Sequence, residues 1–292
     1  MALWPFAKKE STELTSEQRS ALSAVVRHTK FELIPLKQVQ EQAALLPAAS
    51  TVTVTASPTK GMEVTLELAE WVAAQGHDVI PHFSARLMRD RAQLRDLVAR
   101  AKAAGMRKVF VVGGDGEPSG EFKDGLDLLR ALEEVGHHFE EVGVPSYPEG
   151  HVQIADDVLM RVLKEKNRYS NATATQMSFN PSAVAEWIGR IRQEGITLPI
   201  YLGVAGVVEL TKLMTIAARI GVADSARYLT KQRHLVGRLA AQGSFGPDAF
   251  LKSLAPTIEE PEARVHGLHV FTFNQVGTTA AWQKRMLEEL AA

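Results

Sequence analysis

Residues 108–120 read KVFVVGGDGEPSG. Val109, Phe110, Val111 and Val112 run without polar alternation, the pattern of a parallel strand covered on both faces, and the run stops at Gly113, Gly114, Asp115 and Gly116. Glycine lets backbone approach a ligand closely. Asp115 is then the one charged group at the strand's C-terminal end, where α/β folds place their ligands.

The same alternation extends outward on both sides. Upstream, residues 91–104 place Leu94, Leu97, Val98 and Ala101 at i, i+3, i+4 and i+7, the buried stripe of a helix, with Gly105 as its stop. Downstream, Leu128, Ala131, Leu132 and Val135 repeat that spacing over 126–135, closed by Gly136. Further strands are expected at 31–35, 51–55, 78–84, 141–147, 172–179, 198–204 and 268–274. Further helices are expected at 36–46, from about 61 to 74, and at 152–165, 181–193, 247–254 and 278–290, with a longer block at 208–241 broken near Gly221. In 181–193, Val184, Trp187, Ile188 and Ile191 form the buried face, and Pro181 sits where an N-terminal proline is tolerated. Eight β/α units with no Pro-, Gly- or Ser-rich linker between them give the count of a closed (β/α)8 TIM barrel, a single α/β domain over 30–292. An open doubly wound sheet is the other arrangement such alternation permits. Residues 1–29 read as an N-terminal extension, with SEQRSALSAVVRHT as a short amphipathic helix.

Composition narrows the partners. The 292 residues are 45% hydrophobic and carry 33 basic against 34 acidic side chains, a net charge of -1. Nucleic acid and anionic membranes call for a clustered basic excess that is absent here, so small molecules are the expected ligands. No cysteine means no disulfide, no thiolate metal site and no cysteine nucleophile, a composition compatible with the cytoplasm. MALWPFA, seven apolar or proline residues before a charged run, is too short for a signal h-region or a membrane span. A soluble, cytoplasmic protein is expected, with its oligomeric state open.

The candidate site residues are polar groups at strand ends. Glu32 in FELIP falls on a buried strand, where an unpaired carboxylate raises its pKa and becomes a general acid; it could equally pair with a lysine or arginine, or sit at a wet rim. Asp115 reads as a ligand-orienting carboxylate, or as a turn aspartate bonding its own loop amides. Ser146 to His151, SYPEGH, places Tyr147, Glu149 and His151 on one loop: Tyr147 suits stacking on a planar ligand or ordinary rim packing, and His151 a proton carrier or a helix start. His82 in PHFS ends the third strand in the same way. Neither histidine has a partner at zinc-motif spacing, so no metal is expected. Gln176 and Asn274, near the ends of the sixth and eighth strands, offer paired amide groups to a heterocycle edge, or satisfy backbone in the barrel mouth. Arg227, Lys231 and Arg233 read as a solvated face or a phosphate contact. Lipid and nicotinamide-nucleotide kinases also carry GGDG after a strand, but they continue into a β-rich second domain, whereas β/α alternation continues here.

FELIP, TVT, PHFS, GGD, YPEGH, TQ and HVFTFN, in that order on successive strands, resemble the methylenetetrahydrofolate reductase family from about Lys30 to the C-terminus. The resemblance implies a (β/α)8 barrel that reduces 5,10-methylenetetrahydrofolate to 5-methyltetrahydrofolate in one-carbon metabolism and methionine biosynthesis, with hydride from NADH or NADPH, usually through bound FAD. It implies Glu32 as the general acid that opens the methylene bridge to an electrophilic iminium. Asp115 would read the pterin and tune the redox centre, Gln176 would orient the substrate, and Thr55, His82 and Tyr147 would line the flavin site. Beside these, Asn274 is expected to bind substrate, and Gly114 and His151 to bind cofactor. A non-redox folate-binding barrel or a methyltetrahydrofolate methyltransferase is the competing class.

The departures from the family cluster on the flavin side. Gly113 stands where the family usually has an arginine before the Gly-Asp of the fourth strand. On the helix after YPEGH, aligning Lys164 with the family's lysine puts Leu159, Val162 and Glu165 at positions of polar and basic groups; Tyr169, Ser170 and Asn171 replace a Gly-Ala. Lost cations argue against tight binding of an anionic dinucleotide. The expectation is a reductase in which nicotinamide hydride reaches the folate directly.

Overall fold

A computed structural model describes residues 13–57, 60–219 and 244–292. Eight parallel strands close into a barrel: β1 (Thr29–Leu33), β2 (Thr51–Val54), β3 (Asp78–Ser84), β4 (Lys108–Val112), β5 (Glu141–Ser146), β6 (Ala172–Thr175), β7 (Ile200–Ala205) and β10 (Val265–Phe271). The other two described strands, β8 (Val208–Glu209) and β9 (Ser244–Phe245), pair antiparallel as a separate two-stranded sheet. β1 pairs with both β2 and β10, which excludes the open sheet. The described residues form one TIM barrel.

Helices alternate with the strands: α1 (Ser16–Arg27), α2 (Val39–Ala43), α3 (Gly61–Ala74), α4 (Arg91–Ala103), α5 (Gly125–Val135), α6 (Asp156–Lys166), α7 (Pro181–Gln193), α8 (Leu210–Arg219), α9 (Asp248–Ile258) and α10 (Val276–Ala291). No described helix is long and apolar enough to cross a membrane. α1 starts at a capping box, where the Thr15 hydroxyl accepts from Gln18 N and the Gln18 side chain accepts from Thr15 N. Its Leu22, Val25 and Val26 are buried in the common core.

Several boundaries differ from the sequence expectation, each for a local reason. The helix expected over 36–46 is only Val39–Ala43, because Gln38 before it takes a left-handed φ of 62°. The strand expected to reach 179 ends at Thr175: Gln176 N and Ser178 N still donate to Ser146 O and Gly203 O, but Gln176 Oε1 accepts from Met177 N and Ser178 Oγ donates to Gln176 O, so local side-chain bonds interrupt the regular ladder. The helix expected from 152 begins at Asp156, and Val152 is 70% exposed on the loop before it. Two acidic residues, Asp156 and Asp157, occupy its first turn, where the helix dipole favours them. The helix expected from 208 is preceded by the β-branched pair Val207 and Val208, and the latter pairs with Phe245 in the β8–β9 sheet. The last strand spans Val265–Phe271 and stops before Phe273 and Asn274, both with positive φ. The remainder of the 208–241 block, with Gly221, Arg227, Lys231 and Arg233, lies outside the described residues.

The barrel interior is filled rather than open. At its floor Lys30 is bonded to Glu141 at 2.5 Å and lies 3.2 Å from the Tyr201 ring centroid, and Lys108 pairs with Asp78 at 2.7 Å. Above, Phe110 packs so closely on Gly143 that an added Cβ there would lie 2.6 Å from its ring. At Gly203 an added Cβ would lie 2.1 Å from the Thr175 carbonyl oxygen, part of the backbone. A side chain such as Phe110 can move; that carbonyl cannot without breaking the β6–β7 register. Gly143→Ala should therefore cost about 1–3 kcal/mol, in the range of ordinary overpacking, and Gly203→Ala clearly more. Urea denaturation of both variants checks the order, and equal losses would contradict it.

Candidate active site

Glu32 points inward from β1 and is 5% exposed. Its Oε2 lies 3.0 Å from Nε2 of His269, which points inward from β10 and is 3% exposed. The two strands are neighbours only because the barrel closes. Around Glu32 the backbone is fixed by the same junction: Thr272 Oγ1 donates to Glu32 O at 2.5 Å, and Asn274 clamps Ile34 from both amide ends, accepting from its N at 2.9 Å and donating to its O at 2.8 Å. Both amide ends of Asn274 are thus engaged by backbone at the mouth.

His82 enters from β3, 7% exposed, with its ring centroid 4.8 Å from Phe110 and 6.0 Å from His269. Its Nε2 is buried without a hydrogen-bond partner. Burial, and secondarily the neighbouring imidazole of His269, push the His82 pKa well below the usual histidine range, so the ring is neutral. Donor atoms of Glu32, His82 and His269 all lie within 4.8 Å of one another. Two of the three already bond each other. That favours proton chemistry: a carboxyl with one oxygen held by an imidazole and the other, Oε1, without a described hydrogen bond can hold and release a proton.

A second group sits on the loops above. Tyr147 meets His151 edge-on at 5.1 Å, and burial, then the charge of Asp115, raise its phenol pKa. Asp115 is exposed on the β4–α5 loop. That loop is tied down by Arg86, whose N donates to Gly113 O at 3.0 Å and whose Nη1 donates to Gly116 O at 2.8 Å. Gly114 has a φ of 87° and abuts Ser84 Oγ, so its glycine is required by the backbone. Gly113 is different: an added Cβ would meet nothing nearer than Gly125 N at 3.8 Å. Thr55 follows β2, its N donating to Leu33 O. Gln176 Oε1 is spent on Met177 N, while its Nε2 makes no hydrogen bond to a described residue.

The structure thus gathers Glu32 with His82, and Tyr147 with His151 and Asp115. Two functional candidates escaped the sequence reading. His269 stood inside the quoted HVFTFN motif without a role. Glu149 stood in YPEGH, and its Oε1 accepts from Phe179 N at 2.9 Å and Asn180 N at 2.6 Å, pinning the β6–α7 loop that follows Gln176. Behind β5, α6 turns Leu159, Met160, Val162 and Leu163 toward a cleft of about 40 Å³ that Lys166 and Arg190 also line. Lys164 is paired with Glu194 at 3.0 Å.

Fold and site together define a β/α barrel that sets titratable side chains inside its strands and ligand loops at their C-terminal ends. The chain belongs to the methylenetetrahydrofolate reductase family, whose profile matches residues 28–286. It is 29% identical over 152 residues to a probable methylenetetrahydrofolate reductase (NADPH) of Caenorhabditis elegans, covering 49% of this chain and 22% of that protein. It is 23% identical over 236 residues to methylenetetrahydrofolate reductase 2 of Schizosaccharomyces pombe, covering 73% of this chain and 36% of that protein. The matched stretches are well under half the length of either relative. Among solved structures, a putative phosphonomutase from Burkholderia cenocepacia aligns with a TM-score of 0.42 at 12% identity, covering 78% of this chain and 99% of that one.

The neutral His82 gives a stability prediction. The unfolded chain protonates its histidines near pH 6.5, whereas folded His82 stays neutral, so below about pH 6.5 the unfolded state binds more protons and stability falls with pH. His82→Phe should flatten that slope by up to about 1.4 kcal/mol per pH unit in urea titrations. An unchanged slope would mean that the fold accepts the proton.

Proposed function

We propose that this protein reduces 5,10-methylenetetrahydrofolate to 5-methyltetrahydrofolate with hydride taken directly from NADH or NADPH. The observation that carries the reading is the buried Glu32 with one carboxyl oxygen held by His269 and the other open. Protonated Glu32 gives its proton to the bridging nitrogen that leaves the methylene carbon. That C–N bond opens, the remaining nitrogen–carbon bond becomes an iminium, and hydride from the nicotinamide adds to the carbon to form the methyl group. Glu32 is left as the carboxylate and the nicotinamide is oxidised. Asp115 and the free Nε2 of Gln176 orient the pterin, and the protein's further contribution is alignment of donor and acceptor in a dry pocket.

One feature supports transfer without flavin. Gly113 adds no cation, although the space around it would admit a side chain. Thr55, His82 and Tyr147, which match flavin-lining positions of the family, are then available to the nicotinamide, with Gly114 and His151 beside them.

The decisive assay is oxidation of NADH or NADPH dependent on methylenetetrahydrofolate, with and without added FAD. Activity indifferent to FAD is expected, in protein that carries no visible flavin band; a stoichiometric flavin band would overturn the direct-transfer reading. Folate binding with no nicotinamide oxidation under either condition would favour the non-redox folate barrel. Glu32→Gln should fold normally and lose about 100-fold or more in turnover, the scale of a general acid. A second outcome tests the missing cation: Gly113→Arg should fold and bind FAD more tightly than the parent chain by fluorescence quenching. No gain would show that the arginine position is not what limits flavin.

A further inference from the structure

Glu32 as an acid raises a question that the proposed reaction does not answer, namely what holds a proton donor in the right orientation and accommodates the charge it leaves behind. Glu32 is 5% exposed, so bulk water is a poor partner for either task. Among the described residues its one side-chain hydrogen-bond partner is His269, at 3.0 Å, through Nε2. Resting on that reading of Glu32, we propose that His269 is the positioning residue for the acid. Its Nε2–H donates to Oε2, which fixes the rotation of the carboxyl group and directs Oε1, carrying the acid proton, toward the barrel mouth. When that proton passes to the leaving nitrogen, no other bond changes in the pair: the O–H of Glu32 breaks, the N–H of the substrate forms, and the same Nε2–H now faces a carboxylate. A hydrogen bond to a charged acceptor is stronger than one to a neutral acceptor, so His269 stabilises the product of the transfer more than its starting state.

The surroundings agree with this division of labour. The other titratable group at this level is His82 from β3, which burial keeps neutral and whose Nε2 has no partner. Lys30, two residues before Glu32 on β1, is committed to Glu141 of β5 and to the Tyr201 ring of β7 at the barrel floor. Phe110 from β4 and Phe271 on β10 flank the His269 ring, with centroids at 5.9 and 4.9 Å, and hold its plane. Nothing charged competes with His269 for Glu32 among the described residues.

Removing the N–H donor should weaken the carboxylate form and free the carboxyl to rotate. His269→Leu is expected to lower kcat by about 10- to 100-fold, the worth of one hydrogen bond to a charged group, and to move the alkaline limb of the pH–rate profile upward. His269→Gln, which keeps an N–H donor, should recover most of the rate and return the limb toward the parent position. Both are read with saturating methylenetetrahydrofolate and NAD(P)H beside Glu32→Gln. A His269→Leu profile superimposable on the parent, or a His269→Gln as impaired as the leucine variant, would overturn the assignment. Parent-like turnover in Glu32→Gln would instead overturn the acid role on which it rests. Nitrogen-15 NMR of the unaltered protein, labelled in histidine, supplies a test independent of any variant's folding: the His269 Nε2 resonance should be that of a protonated nitrogen, and an unprotonated Nε2 would refute the proposal.

Discussion

The site depends on barrel closure between β1 and β10. Glu32 and His269 are 237 residues apart in the chain, yet their bond is 3.0 Å long because the first and last barrel strands lie side by side. Closure also buries the pair, Glu32 at 5% and His269 at 3% exposure, and among the described residues the carboxyl's side-chain partner is an imidazole. Thr272 and Asn274 lock the same seam from above, one onto Glu32 O and the other onto Ile34. The price is local strain: Phe273 and Asn274 both take left-handed φ values that disfavour side chains, at the point where the last strand must turn to make those bonds.

Much of the fold was legible because parallel strands buried on both faces leave continuous apolar runs. Residues 78–84, 108–112 and 181–193 were read with the bounds the structure shows, the helix aided by Pro181 and by Asn180, whose side chain accepts from Ser182 N and Ala183 N. The ends of α2, α6 and β6 were less legible. There the outcome rests on a single left-handed residue, or on side chains such as Gln176 that bond their own backbone, and neither leaves a periodic trace. For the site, a carboxylate in the strand FELIP and a histidine at the end of PHFS stood out as polar groups in apolar settings. His269 did not, since one histidine among strand residues gives no sign of a partner so distant in sequence. Asn274 illustrates the opposite limit. An amide at a strand end looks the same in sequence whether it faces a ligand or backbone, and here both of its ends meet Ile34.

The glycines of residues 113–116 separate two physical roles that the sequence merges. Gly114 is required by its positive φ and by Ser84; Gly113 has ordinary backbone and open space beside it. A position that could carry a cation without steric cost carries none, whereas the cleft beside α6 mixes aliphatic side chains with Lys166 and Arg190. The proposal of direct hydride transfer rests on the first of these features.

Isotope transfer reaches that central claim most directly. With NADH or NADPH deuterated at the transferring position of the nicotinamide and the reaction run in ordinary water, direct hydride transfer places one deuterium in the methyl group of every 5-methyltetrahydrofolate formed. Passage through a reduced flavin, whose N–H exchanges with solvent, would place ordinary hydrogen there, and that result would contradict the direct route.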